Sequence, residues 1–325
     1  MKRGYVFAGL ILLLATSWIS LNTGIIKLNN VLGLLFGNGA ADQVSIAQEI
    51  RGPRVLAAIL VGATLGIAGA LSQGALKNPL SEPVLLGTTG GAALFTLLGV
   101  IFFNSEIGSS LTISLGILGA LSATLLTFQI GKDGRDGFSF VIIGVAVSAI
   151  LTSLVGLAAL IVNSPEARGV TFWTLGTLSM ATKPQVLLLL PLLAIAWIAA
   201  YLIAPKLDYL ALGDIRAKHL GVNSKKVRLK VFLIIAISVG AISSIFGQIS
   251  FLALAIPHIV RALISPRHKT LVVSSGILGA LILLLADIFA RTLVSPNELP
   301  IGLVTALFGS PVLIISVKRW ANKIA

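Results

Sequence analysis

Cysteine is absent from this 325-residue chain. Disulfides and thiolate metal sites are therefore both excluded. Methionine is nearly absent too, with only Met1 and Met180, which argues against a channel built on soft copper or zinc ligands. Charge is scarce: 11% of residues are charged, against roughly 25% in an average globular chain. So few charges cannot cover a water-facing surface. With 56% hydrophobic residues and mean hydropathy +1.02, most of the chain must have lipid as its solvent. Acidic residues number 11 against 24 lysines and arginines. In a soluble protein the net charge of +13 would suggest nucleic acid. Here it reads as the lysine and arginine excess of cytoplasmic loops, and no nucleic-acid partner is expected.

Catalytic motifs are missing as well. No segment matches G-x-x-x-x-G-K-[ST], and the nearest stretch, Gly69 to Lys77, has the wrong spacing and lies in an apolar run. Without a phosphate-cradling loop the chain cannot hydrolyse ATP itself. There is no nucleophile elbow and no His-Glu zinc motif. His219, His258 and His268 are far apart in sequence. No catalytic residue, metal site or permanently bound cofactor is expected.

What the chain does have is apolar runs. They span Tyr5–Leu21, Val55–Gln73, Val84–Phe103, Leu111–Ile130, Phe138–Val162, Val186–Ala204, Val231–Phe246, Phe251–Ile264, Leu271–Ala290 and Ile301–Val317. The first follows Met1-Lys2-Arg3 but lacks a small-x-small cleavage site, so it reads as a membrane helix rather than a signal peptide. Several runs fall short of the roughly 20 residues of a full crossing. One holds Pro257, and short, proline-broken spans suit helices shielded by protein or lining a cavity. With the N-terminus inside and ten alternating crossings, inside segments hold 18 of the 24 basic residues. That bias predicts both termini in the cytoplasm and localisation in the inner (cytoplasmic) membrane. Glycine, at 33 residues, recurs at helical spacing at Gly62, Gly66 and Gly69. In lipid this spacing lets helices pack closely.

Polar residues then narrow the reading. Asp287 and Arg291 lie four apart near the outer end of the ninth run, and at helical spacing they can pair. The longest inside loop, 206–230, carries Leu212, Ile215 and Leu220, which can share an apolar side. Asp214 and Gly221 mark the start and end of a short helix. On its residues alone, that helix could rest on headgroups or dock a partner.

Several motifs in order resemble one family. They are Arg51-Gly-Pro-Arg54, Gly69, Gln73, Asn78-Pro-Leu80, Pro83, Leu86-Gly87, Gly90-Gly-Ala92, Leu212-Gly213 through Leu220-Gly221-Val222, Gly247-Gln-Ile-Ser-Phe251, Pro257-His258-Ile-Val-Arg261, Ala286-Asp287 to Arg291, Glu298-Leu-Pro-Ile-Gly302 and Gly309-Ser-Pro311. Together they are similar to the permease family of iron-siderophore, haem and cobalamin ABC importers. Gly52 stands where a leucine is common, and Ser310 where an alanine is usual. The resemblance implies an all-α, polytopic membrane protein of about ten transmembrane helices, a type II ABC importer permease. It would be a single transmembrane permease domain over 1–325 with a cytoplasmic coupling loop at 206–230. It implies a homodimer, two ATP-binding cassette subunits that use the ATP, and a periplasmic or lipid-anchored binding protein. It assigns binding-protein docking to Arg51, Arg54 and Arg291, seen as exposed rim charges dispensable to the fold. ATPase coupling falls to Leu212, Gly213, Asp214, Ala217, Leu220 and Gly221, and the gate to Gln73, Asn78 and Leu80. The stretch Ala167–Leu178 resembles the haem branch. Arg168 would pair with propionates, and Phe172 or Trp173 would stack on the porphyrin. A ferric siderophore or cobalamin is the alternative cargo. An ion-coupled secondary transporter is the rival class, and it would need a mid-membrane coupling carboxylate.

Overall fold

The computed structural model describes residues 3–131, 137–161 and 172–311. Ten helices correspond one for one with the ten apolar runs. They are α1 (Arg3–Asn22), α2 (Gly52–Leu76), α3 (Thr88–Phe103), α4 (Ser110–Gly131), α5 (Gly137–Ile161), α6 (Lys183–Ala211), α7 (Ser224–Phe246), α8 (Leu252–Leu263), α9 (His268–Thr292) and α10 (Ile301–Pro311). Seven are long and apolar enough to cross a membrane, while α3, α8 and α10 are shorter. Large apolar side chains such as Phe7, Leu14, Leu160, Ile195, Leu202 and Leu307 face outward. In water this surface would drive aggregation; in a bilayer it is the lipid contact.

The axis of the bundle is α2. From Pro53 to Leu76 only Leu56 is exposed and only Ile59 half-buried. Pro53 lies just beyond the π-helical turn Ile46–Arg51, where its missing N–H interrupts the regular ladder of the continuous helix. Lys77, in the left-handed region at φ 51°, ends it just before Asn78-Pro79. Its glycines explain how a helix can be surrounded this closely. A Cβ on Gly62 would strike the backbone of Gly279, one on Gly66 the carbonyl of Ser275, and one on Gly69 the carbonyl of Ala253. The first two contacts seat α9 and the third seats α8. Close backbone approach replaces the missing hydrophobic drive between helices in lipid.

Two stretches predicted as loops carry structure. Between α1 and α2, short helices at Val31–Leu35 and Ala41–Ser45 lead into a π-helical turn, Ile46–Arg51, that runs straight into α2. The expected coupling loop 206–230 is also mostly helix. α6 runs on through Pro205 to Ala211 because Leu207 and Leu210 continue its buried stripe. A separate helix fills Asp214–His219, and α7 begins at Ser224 under an Asn223 cap.

Candidate functional site

Polar side chains gather at the two ends of α2, about 35 Å apart at 1.5 Å per residue. At the first end, Asp287 on α9 is completely buried. Its Oδ1 accepts from Arg54 Nε at 3.0 Å, and Arg54 Nη2 lies 2.9 Å from the same oxygen. Arg54 Nη1 donates to Glu298 Oε1 at 2.8 Å. Arg291 Nε stands 3.1 Å from Asp287 Oδ2, close enough for an ion pair but too bent for a hydrogen bond. Its Nη2 donates to Ser20 Oγ at 2.7 Å and its Nη1 to Thr23 O at 3.2 Å. Arg51 donates to the carbonyls of Leu21 and Ile26. The first of these is in the last turn of α1, where a cation favours the unpaired helix carbonyls.

This geometry corrects the picture of free rim charges. Arg51 and Arg54 are 5% and 8% exposed. Arg51, Arg54 and Arg291 bind α1, α2, α9 and the segment ahead of α10 to one another. The Asp287–Arg291 pair was legible from its spacing. Its third member was not, since Arg54 lies 233 residues away. The cluster borders an open cavity of about 400 Å³ that also includes Thr23, Ile26 and Ile50.

At the other end of α2 lies the short helix Asp214–His219. Gly213 (φ 99°) and Gly221 (φ 77°) flank it in conformations that suit glycine. Val222 N–H donates to Ala217 O at 2.9 Å and Gly221 N–H to Lys218 O at 3.0 Å, the paired bonds of a Schellman ending. Leu212, Ile215 and Leu220 are 50%, 76% and 56% exposed, so the apolar side expected from sequence has no cover in this chain. Ala217 is instead fully buried, so it anchors the helix and offers no surface to a partner. Asp214 is held as well. Its carboxylate takes Lys77 Nζ at 3.0 Å and Arg228 Nη2 at 2.9 Å, and Arg228 Nε reaches Ala75 O at 3.1 Å. Burial alone would push the Asp214 carboxyl up. The bonds from Lys77 and Arg228 outweigh it and hold the group below the usual carboxylate range. The short helix is thereby tied to the last turn of α2 and to the segment that follows.

That following segment forms the third feature. Gln73 is buried. Its Nε2 donates to Leu254 O at 3.1 Å, and its Oε1 accepts from Arg261 Nη1. Asn78 Oδ1 accepts from Leu80 N–H at 2.9 Å, and His258 Nε2 sits 2.8 Å from Pro79 O. Gln73, Asn78 and Leu80 thus line one cavity of about 530 Å³, with Lys77, Pro79, His258, Arg261 and His268. Sequence reasoning did not single out Arg228, and it quoted His258 and Arg261 only as part of a motif, without a role. A cation in the last turn of a short, proline-broken span was the available signal for Arg261.

Of the three residues assigned to ligand contact, Arg168 lies outside the described residues. Trp173 is corrected: it is wholly buried, and its Nε1 donates to Ile245 O at 3.0 Å. Neither ring face is open to a porphyrin. Phe172 is 57% exposed, beside a cavity of about 380 Å³ bordered by Ser179, Met180 and Pro300.

Residues 10–319 match the FecCD transport family. The chain belongs to that family. The permease is 33% identical over 322 residues to the hemin transport system permease protein HmuU of Yersinia pestis, covering 95% of this chain and 94% of that one. It is 35% identical over 289 residues to the Fe(3+) dicitrate transport system permease protein FecC of Escherichia coli, covering 88% and 87%. It is 32% identical over 314 residues to the iron(3+)-hydroxamate import system permease protein FhuG of Bacillus subtilis, covering 94% and 93%. A solved metal-chelate type ABC transporter in an inward-facing conformation superposes with TM-score 0.87 at 28% identity, over 98% of this chain and 100% of that one. The permease is therefore a transport subunit and not an enzyme, and ATP hydrolysis belongs to separate subunits.

Proposed function

We propose that the permease passes an iron chelate from an extracytoplasmic binding protein to the cytoplasm, as one half of a homodimer above two ATPase subunits. Haem is the cargo put first, on the character of Ala167–Leu178 and the hemin permease relative. The dicitrate and hydroxamate permeases are as similar to this chain, so a ferric siderophore is the second reading. Both termini lie in the cytoplasm in this scheme, following the bias of basic residues.

The observation that carries the proposal is the short helix Asp214–His219 with its uncovered Leu212, Ile215 and Leu220. An ATPase subunit would seat on that apolar side. Motion imposed there travels along Asp214 to Lys77 and Arg228, and through Arg228 to Ala75 O. It arrives at the α2 terminus, next to Asn78–Leu80. Closing the ATPases thus pulls on the segment bordering the inner cavity. At the opposite end, the binding protein would meet the surface around Arg51, Arg54 and Arg291. Its acidic groups would share guanidinium groups already engaged within this chain.

The test is Asp214→Asn in the complete transporter reconstituted in vesicles. Losing a half-exposed pair costs on the order of 1 kcal/mol, so uptake per ATP hydrolysed should fall about fivefold. An unchanged ratio of uptake to hydrolysis would remove Asp214 from the linkage.

A further inference from the structure

Between α2 and α3 the chain runs from Lys77 to Gly87 without a spanning helix, and side-chain bonds hold this connection to its neighbours. Ser81 shares a buried hydroxyl bond with Ser72 of α2, and Pro79 O takes His258 Nε2 of α8. Val84 O accepts from Ser148 Oγ of α5 at 2.6 Å, and Leu86 O from Thr127 Oγ1 of α4 at 3.1 Å. Glu82 is the acidic residue of the connection. Its carboxyl accepts the backbone N–H of Phe251, the residue that opens α8. Phe251 stands in the left-handed region at φ 65°, a conformation that costs an L side chain about 1–2 kcal/mol. Glu82 therefore ties the connection to a strained turn at the head of α8.

Glu82 Oε2 is sealed from solvent and has no partner. The charges around it do not supply one. Helices α3, α4 and α5 pack on Pro83–Leu86 and carry no titratable side chain. α2 has only Arg54, at its far end. α7 has Lys225, Lys226, Arg228 and Lys230 at its start, and Arg228 is taken by Asp214. On α8, His258 holds Pro79 O and Arg261 holds Gln73. Lys77 is paired with Asp214. Among the described residues none of these cations reaches Glu82. Burial without a counter-charge favours the neutral acid, and the carboxyl is pushed up to about 7.

We infer that Glu82 is a positioning residue that works as a proton-dependent latch. Its neutral carboxyl holds the Asn78–Leu86 connection against the head of α8. Moving the connection away admits water, and the proton passes to the solvent on the ATPase side. The inference rests on the permease reading above, with Asn78–Leu80 as the inner gate. The packed form binds the proton more tightly than the separated form. The ratio of separated to packed forms therefore rises with pH, by up to about tenfold per unit, and levels off above the raised value.

Spin labels read this movement directly, because the chain has no native cysteine to compete. Leu80→Cys and Leu263→Cys, both at exposed positions, carry the labels in the permease–ATPase complex. The complex is reconstituted in vesicles with cysteine-free ATPase subunits, and distances between labels are recorded from pH 5 to 8, with and without Glu82→Gln. Glutamine copies the shape of the neutral acid and cannot lose a proton. The expected result is a separated-to-packed ratio that grows at least about tenfold from pH 5 to 7 in the labelled parent and stays constant in the Gln variant. An equal pH response in both proteins overturns the latch and assigns the titration to another group, such as His258. A parent distribution that ignores pH overturns it outright. Should the Gln variant fail to assemble, Glu82→Ala is compared with the parent instead: a lost pH response supports the latch, and a retained one overturns it. Uptake of radioiron-labelled citrate, haem and hydroxamate chelates by the complete unlabelled transporter tests the permease reading separately. Uptake of none of the three overturns that reading and the gate with it. Uptake of any one, with label distances that ignore pH, overturns the latch alone.

Discussion

At the scale of single residues, Asp287 and Arg54 set the energetics of one end of the bundle. Asp287 is enclosed between two guanidinium groups. Removing one member of a buried ion pair leaves an uncompensated charge, at a cost of about 3–5 kcal/mol. Asp287→Asn should therefore lower the thermal stability of the detergent-solubilised permease sharply. Arg54→Glu should prevent folding altogether, since it puts three carboxyls where a guanidinium had bridged two. Combining Arg54→Gln with Asp287→Asn should cost less than the two singles added, because both remove the same contact. Melting temperatures of the four proteins check this, and strict additivity would sink it.

Glu82 supplies a pH dependence. It precedes the turn Pro83–Leu86, outside the spanning helices, and its Oε2 is buried without a partner. Burial raises its pKa to about 7, opposed only by a backbone hydrogen bond from Phe251. The folded state then binds more protons than the unfolded chain between the ordinary carboxyl range and pH 7. Stability must fall as pH rises through that window and level off above it. Glu82→Gln should abolish the slope and stabilise the permease at pH 8 by roughly 2–3 kcal/mol, with no gain at pH 4. Parallel melting curves for the two proteins from pH 5 to 8 would contradict this.

At the scale of elements, contact between α2 and α9 depends on the absence of side chains. Gly66→Leu would drive a branched side chain into the carbonyl of Ser275. Overpacking commonly costs about 1–3 kcal/mol, and here backbone rather than a flexible side chain must yield. The variant should lose thermal stability by at least that much, while Gly156→Ala, where nothing stands within 4 Å of the added carbon, should melt like the parent. Equal melting of both variants would deny the close approach. The helices themselves were legible in sequence, because hydropathy and capping are local. The run-on of α6 to Ala211 was not, because Leu207 and Leu210 count as helical core only once their buried neighbours are known.

At the scale of the whole molecule, apolar surface faces outward around the bundle and polar contacts concentrate at its two ends. The linkage from the short helix to Asn78–Leu80 crosses from α7 to the end of α2. It is carried by Asp214, Lys77 and Arg228, the second of which lies 137 residues from the first. The motif order pointed to a gate at Asn78–Leu80 and a coupling helix at 212–221. It did not contain the bridge between them.

Sequence by itself determined the solvent, the ten helices, the lack of ATP-binding machinery and the glycine ending of the Asp214–His219 helix at Gly221, whereas its start is set by Gly213 with no side-chain cap from Asp214. Each of these depends on composition or on residues within a few positions of one another. Only the tertiary structure decided which charges are spent and which are free. Arg51 and Arg54 read as open charges in sequence but are committed to partners up to 244 residues distant. Arg261, quoted in sequence only as the end of the Pro257–Arg261 motif, lines the inner cavity with no carboxylate in ion-pair distance among the described residues. Pairing acts over a few ångströms of space, and chain distance carries almost no information about it.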